Sequence, residues 1–164
     1  MELIQHTENW VSGEVFQGKV MLAIGIACLI AWIAIFRSEH TILKGTLIPM
    51  ALMLVVFLGY GGMQAIVRPK HTAKLQQLME QNGVEEALKH ETEYLKGGDK
   101  AYSTLKPIWA ALIILSVVLY FVFKTDYLKG LSIGLMALFL TLVVLDTTLQ
   151  YRLSKYLNAI QSLV

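Results

Sequence analysis

The chain has 164 residues, of which 55% are hydrophobic and only 16% are charged. A soluble domain averages roughly 25% charged residues and needs far less apolar material for one core. With a net charge of +2 and no clustered basic run, the composition excludes a soluble enzyme core and a nucleic-acid surface, and predicts a polytopic, all-α integral membrane protein.

Residues 2–13, ELIQHTENWVSG, precede an apolar run at 20–36. Helical spacing puts Glu2, His6 and Trp10 on one face, and the aromatic ring and Gly13 come just before the run. No basic n-region or small-residue cleavage site is present, so a signal peptide is not expected. The apolar run is the first of four expected spans, each near the length needed to cross about 30 Å of hydrocarbon. Cys28, the single cysteine, lies within it and is expected to serve as a small packing residue.

A short polar turn, FRSEHTILKG at 36–45, leads to the second span at 46–67. Pro49 is a candidate kink, and GYGGMQ at 59–64 groups three glycines with Tyr60 and Gln64. Glycines there suit close helix approach or local unwinding, and Gln64 can bond across helices. Tyr60 and Gln64 are therefore candidate ligand or ion residues. Arg68, Lys70, His71 and, far along the chain, Arg152 form a basic rim suited to a phosphate-bearing headgroup.

Residues 68–106 are too polar for a span. RPKHTAKLQQLMEQNG reads as a helix opening at Pro69 and stopping at Asn82-Gly83. A second helix is predicted from residue 84 to 96, ending at Gly97-Gly98, with Asp99 capping the next. That second helix carries EALKHETEYLKG, in which Glu86, His90, Tyr94 and Gly97 restate Glu2, His6, Trp10 and Gly13. If the two helices pair, their Glu/His pairs (Glu2, His6, Glu86, His90) form a candidate metal or proton site. The alternative is hydrogen bonding of each Glu to its own His on a solvated face.

The third span is expected at 107–123 and the fourth at 131–149, joined by FKTDYLKG at 123–130. Asp146, the single acid inside an apolar span, is a candidate ion or proton site, with a structural pair as the alternative. The C-terminal stretch places Leu149, Leu153, Tyr156, Leu157, Ile160, Leu163 and Val164 on one broad apolar face. The fourth span is thus predicted to continue as one long helix. Its face should pack on the central helices, on the N-terminal helix or on a neighbouring subunit.

The restated phrase belongs to a longer internal match. Residues 19–36 lie over 106–123 without gaps, both turns carry Leu-Lys-Gly, and both second spans end in arginine. The match predicts two tandem, parallel transmembrane hairpins: a first repeat at 1–68, a connector at 69–85, a second repeat at 86–152 and an extension at 153–164. With both termini inside, the inner segments hold ten of the 14 Lys and Arg residues, from Lys19 to Lys155. The outer turns hold Arg37, Lys44, Lys124 and Lys129, which predicts cytoplasmic termini and a cytoplasmic central segment.

Neither a phosphate-binding glycine loop, a nucleophile elbow nor a CxxC occurs in the sequence, and no cofactor is implied by it. The function expected first is an oligomeric channel or transporter for ions or small solutes, embedded in lipid and assembled as a homo-oligomer. A non-catalytic scaffold docking a cytoplasmic protein partner comes second, and a membrane enzyme acting on lipid third. Nucleic acid is not an expected partner.

Overall fold

A computed structural model describes residues 2–162; the expected apolar positions Leu163 and Val164 lie outside the described residues. The elements, in chain order, are α1 (Glu2–Phe36), α2 (Thr41–Gly45), α3 (Leu47–Leu54), a π-helical turn (Val55–Tyr60), α4 (Gly61–Ile66), α5 (Lys70–Asn82), α6 (Val84–Val122) and α7 (Asp126–Gln161). No strand occurs among the described residues. Four helical stretches of the described residues are long and apolar enough to cross a membrane: α1, the run Leu47–Ile66, α6 and α7. Their apolar segments turn large side chains such as Ile30, Val55, Ile114, Phe121 and Val144 outward, as lipid requires of a bundle without a second apolar layer.

Three of these helices run far beyond the hydrocarbon. At about 1.5 Å per residue, α1, α6 and α7, with 35, 39 and 36 residues, are each some 50–60 Å long. Their extensions gather at the end of the bundle that holds both described chain ends, and α5 packs beside them. There Leu3, Trp10 and Val11 of α1, Leu75 of α5, Leu95 of α6 and Leu153, Tyr156 and Ile160 of α7 form one buried apolar cluster. Each such leucine contributes about 1.5–3 kcal/mol on burial, which holds the otherwise polar extensions together. The long apolar face read from the C-terminal stretch is thus covered by α1, α5 and α6 of the same chain.

The described backbone departs from the sequence reading at three places. The phrase at 2–13 is not a separate helix: α1 runs unbroken from Glu2 to Phe36. Likewise the helix predicted to stop at Gly97-Gly98 continues, as α6, to Val122. The two glycines cost a helix about 1 kcal/mol each relative to alanine. Gly98 is used for approach: a Cβ there would come within 2.9 Å of Leu153 Cδ1 on α7. Asp99, expected as a cap, instead accepts hydrogen bonds from Gln150 Nε2 (2.8 Å) and Ser154 Oγ (3.0 Å), both on α7.

The second span is the third departure. Pro49 sits in the first turn of α3, where its missing N–H has no helical acceptor to forgo, and the irregularity falls later, in the π turn at Val55–Tyr60. By contrast, the stop at Asn82 is as expected: Gly83 takes φ 88°, the left-handed region open to glycine, and turns α5 into α6. At the far end of the bundle, Gly45 and Gly130 mark a close crossing. A Cβ on Gly45 would collide with Tyr127 O, and one on Gly130 with Ile42 O.

Candidate polar site where α1 crosses α4

Along α1 the buried positions are Leu3, Thr7, Trp10, Val11, Glu14, Gln17, Gly18, Met21 and Gly25, a stripe of helical period. Two polar side chains, Glu14 and Gln17, therefore point into the bundle because the period puts them there. The crossing with α4 is tight. A Cβ at Gly18 would lie 2.8 Å from both Gln64 Cβ and Gly61 O, and one at Gly61 would lie 2.9 Å from Met21 Cβ. Small residues at both crossing points bring the backbones together, as in membrane helix pairs.

The crossing seals a polar group. Gln64, fully buried, donates from Nε2 to Glu14 Oε2 at 2.9 Å. Arg68 Nε is 3.9 Å from the same oxygen, its NH1 donates to Tyr94 OH at 2.7 Å, and its guanidinium lies 4.8 Å from the centre of the Trp10 ring. Glu14 is 2% exposed. Burial pushes its carboxyl above the ordinary range, and the charges of Arg68 and Arg152 oppose that shift.

The centre is not saturated. Glu14 Oε1, Gln17 Oε1, Gln64 Oε1, Trp10 Nε1 and Arg68 Nε are buried side-chain atoms without a hydrogen-bond partner among the described residues. An unpaired buried polar atom costs about 1–3 kcal/mol, and native structures carry few. The five comprise three acceptors and two donors, on α1 and on the end of the second span. The π turn ends at Tyr60, directly before this crossing, and such turns inside α-helices often sit at functional sites.

A second polar network closes the extramembrane end. His71 Nε2 and Glu91 Oε1 are 2.9 Å apart, Tyr156 donates to the same Glu91 oxygen at 3.2 Å, and the Tyr156 and Thr7 hydroxyls are 2.6 Å apart. Trp10 stacks on Tyr156, with ring centres 4.9 Å apart, and meets His71 edge-on. These bonds tie α1, α5, α6 and α7 into one assembly. Burial and the Glu91 carboxylate raise the Tyr156 phenol, so it acts as a donor.

The sequence candidates fall in different places. Gln64 lies at the centre, and Tyr60, one turn before it on the same span, has its hydroxyl 3.3 Å from that of Tyr102 on α6. Asp146 stands apart, half-buried, accepting a 2.8 Å hydrogen bond from Trp109 Nε1. His6 lines a pocket between α1 and α7, whereas His90 lines another between α5 and α6. Glu2 and Glu86 are exposed, and among the described residues no three His, Cys, Asp or Glu side chains are grouped to hold a metal ion. Arg68 and His71 join the networks just described, Lys70 is exposed, and Arg152 donates to Gly13 O.

Glu14, Gln17 and Glu91 escaped the sequence reading. The signal was available: Glu14 and Gln17 continue the Thr7–Val11–Gly18–Met21 period, and Glu91 stands between Ala87 and Leu95. A polar residue on an apolar stripe at the edge of a span is the mark. Fold and site together define a helical membrane protein with a sealed, unsaturated polar centre. The chain matches no protein-family model, no curated protein and no solved structure.

Proposed function

We propose that this chain is a small channel or transporter for ions or small polar solutes, and that Glu14 is the group through which the cargo passes. The observation that carries the reading is the unsaturated centre at the α1–α4 crossing: a buried carboxylate with a spare acceptor on Gln64, bonded to it, and another on Gln17, one turn further along the buried stripe of α1. A buried ionisable group at the membrane edge of a helical bundle is costly to keep and characteristically functional. Its raised affinity for a proton makes Glu14 able to exchange one, or to exchange it for a small cation, near the membrane edge. Arg68, 3.9 Å away, balances the charge when Glu14 is ionised.

The functional unit is a homo-oligomer of duplicated hairpins with both termini in the cytoplasm. The internal match, the reciprocal Gly45/Gly130 crossing and the ten basic residues of the inner segments support that arrangement. Asp146 is the lesser candidate, because the Trp109 indole already answers its carboxylate. A scaffold docking a partner on the C-terminal helix has less support, since Leu149, Leu153, Tyr156 and Ile160 are buried within the chain.

Reconstitution of the full chain in liposomes tests this reading, with dyes reporting internal pH and alkali cations. The native protein should carry a flux that Glu14→Gln largely removes, while Asp146→Asn leaves most of it and both variants keep their helical circular dichroism. No flux from the native protein, or an undiminished flux in Glu14→Gln, rejects it.

A further inference from the structure

Two of the pockets at the assembled extramembrane end are basic. One, of about 330 Å³, opens between α5 and α6 and is lined by Arg68, His71, Leu75, His90 and Tyr94 among others. The second, of about 470 Å³, opens between α1 and α7 and is lined by His6, Trp10, Arg152, Lys155 and Ala159 among others. These residues correspond. Adding 84 to the numbers of Arg68, His71 and Leu75 gives Arg152, Lys155 and Ala159; subtracting 84 from His90 and Tyr94 gives His6 and Trp10. Each pocket thus joins the arginine that ends one half's second span to the histidine and aromatic ring of the other half's first helix.

The chemistry of the two linings is also shared. Besides Arg68, His71 and His90, the first pocket offers Lys70 and Lys74. Its one acid, Glu91, is turned to His71 and Tyr156. The second pocket offers Arg152, Lys155, His6 and Asn9 and has no acid. Both are rich in N–H donors and cationic at neutral pH, which suits a group with several anionic oxygens. Both lie within a few residues of a span, and the first adds an apolar wall of Val67, Leu75 and Leu78.

We propose that the two pockets are a related pair of phosphate-binding sites, each taking one phosphate group from a phospholipid headgroup or a soluble phosphomonoester. The pockets border the polar centre through Arg68 and Trp10, but Lys70, Lys74 and Lys155 take no part in it. Occupancy of both would pin the connector (through Lys70 and Lys74 on α5) and the C-terminal helix (through Lys155 on α7) against the membrane edge.

Native mass spectrometry of the full chain in detergent, titrated with phosphatidic acid and separately with diacylglycerol, tests the pair. Two phosphatidic acid molecules should be retained per chain, and no diacylglycerol. Lys70→Gln with Lys74→Gln should weaken one site and Lys155→Gln the other, each by about tenfold, the scale of one charge-assisted hydrogen bond. All three lysines are exposed, so the variants should keep the native circular dichroism. Competition by glycerol 3-phosphate decides the source: displacement of the lipid assigns a soluble phosphomonoester, and persistence of the lipid assigns the headgroup. Equal retention of diacylglycerol, or undiminished binding in both lysine variants, overturns the proposal.

Discussion

Among the described residues, two acid–amide pairs join helices, and they are finished differently. On one side Gln64 of α4 donates to Glu14 of α1 at 2.9 Å; on the other Gln150 of α7 donates to Asp99 of α6 at 2.8 Å. Asp99 has a further donor in Ser154, and Gln150 a further acceptor in Ser103 at 2.9 Å. That network is half-exposed and satisfied, so it works as a clasp between α6 and α7. Glu14 and Gln64 are sealed, each with an oxygen left unanswered. The same two functional groups therefore hold a joint in one place and keep a reserve of binding capacity in the other. Burial and incomplete bonding, not residue type, separate the two.

Cutting both pairs should give the largest contrast. Glu14→Ala strands Gln64 and Arg68 in a sealed site and should cost about 3 kcal/mol, whereas Asp99→Ala removes a wetter network and should cost about 1 kcal/mol. Unfolding in detergent followed by circular dichroism measures both, and equal losses would erase the distinction drawn between the pairs. A smaller contrast lies in the glycines beside them. Gly18→Ala forces a Cβ onto Gly61 O and Gln64 Cβ, two points held by the crossing, and should cost about 2 kcal/mol. Gly98→Ala meets only the end of the flexible Leu153 side chain and regains helix propensity, so its change should stay under about 1 kcal/mol. The same unfolding assay would contradict the crossing geometry if the order reversed.

The smallest effect is a dependence on pH. Because the folded chain raises the Glu14 carboxyl, the folded state binds its proton more tightly than the unfolded state does. The stability this supplies is complete below the ordinary carboxyl value of 4.5 and is lost as pH rises through the folded value. Unfolding curves across mildly acidic pH should show that decline in the native chain and a flatter profile in Glu14→Gln. Asp99→Asn should leave the slope in place, and removal of the slope by that variant would move the titrating group to the wrong pair.

Much of the helical framework was written in hydropathy. The four apolar runs, the stop at Asn82-Gly83 and the continuation of the fourth span past Leu149 all follow from local pattern. What local pattern could not supply was the use of Gly97-Gly98. A glycine pair reads as a helix end until Leu153 is known to lie against it, and that neighbour is 55 residues away. Asp99 suffered the same way, since a capping acid and a cross-helix acceptor have the same sequence signature. At the candidate site, Gln64 is legible from its glycine-rich surroundings, whereas Glu14 lies just outside an apolar run and reads as a flanking polar residue until its α1 stripe is seen to be buried. His6 and His90 stand out in the sequence because their phrase is repeated, but tertiary placement puts them in two separate pockets.

The π turn at Val55–Tyr60 sets the phase of everything that follows it on that span. One residue more per turn rotates the downstream helix by about 100° relative to an unbroken α-helix. Gln64 and Arg68 both lie beyond that slip, so their aim at Glu14 depends on it. Relaxing the turn to α geometry would swing both side chains away from α1 together, disconnecting the polar centre without unfolding a helix. The bundle thus carries, six residues long, a hinge of angle rather than of position.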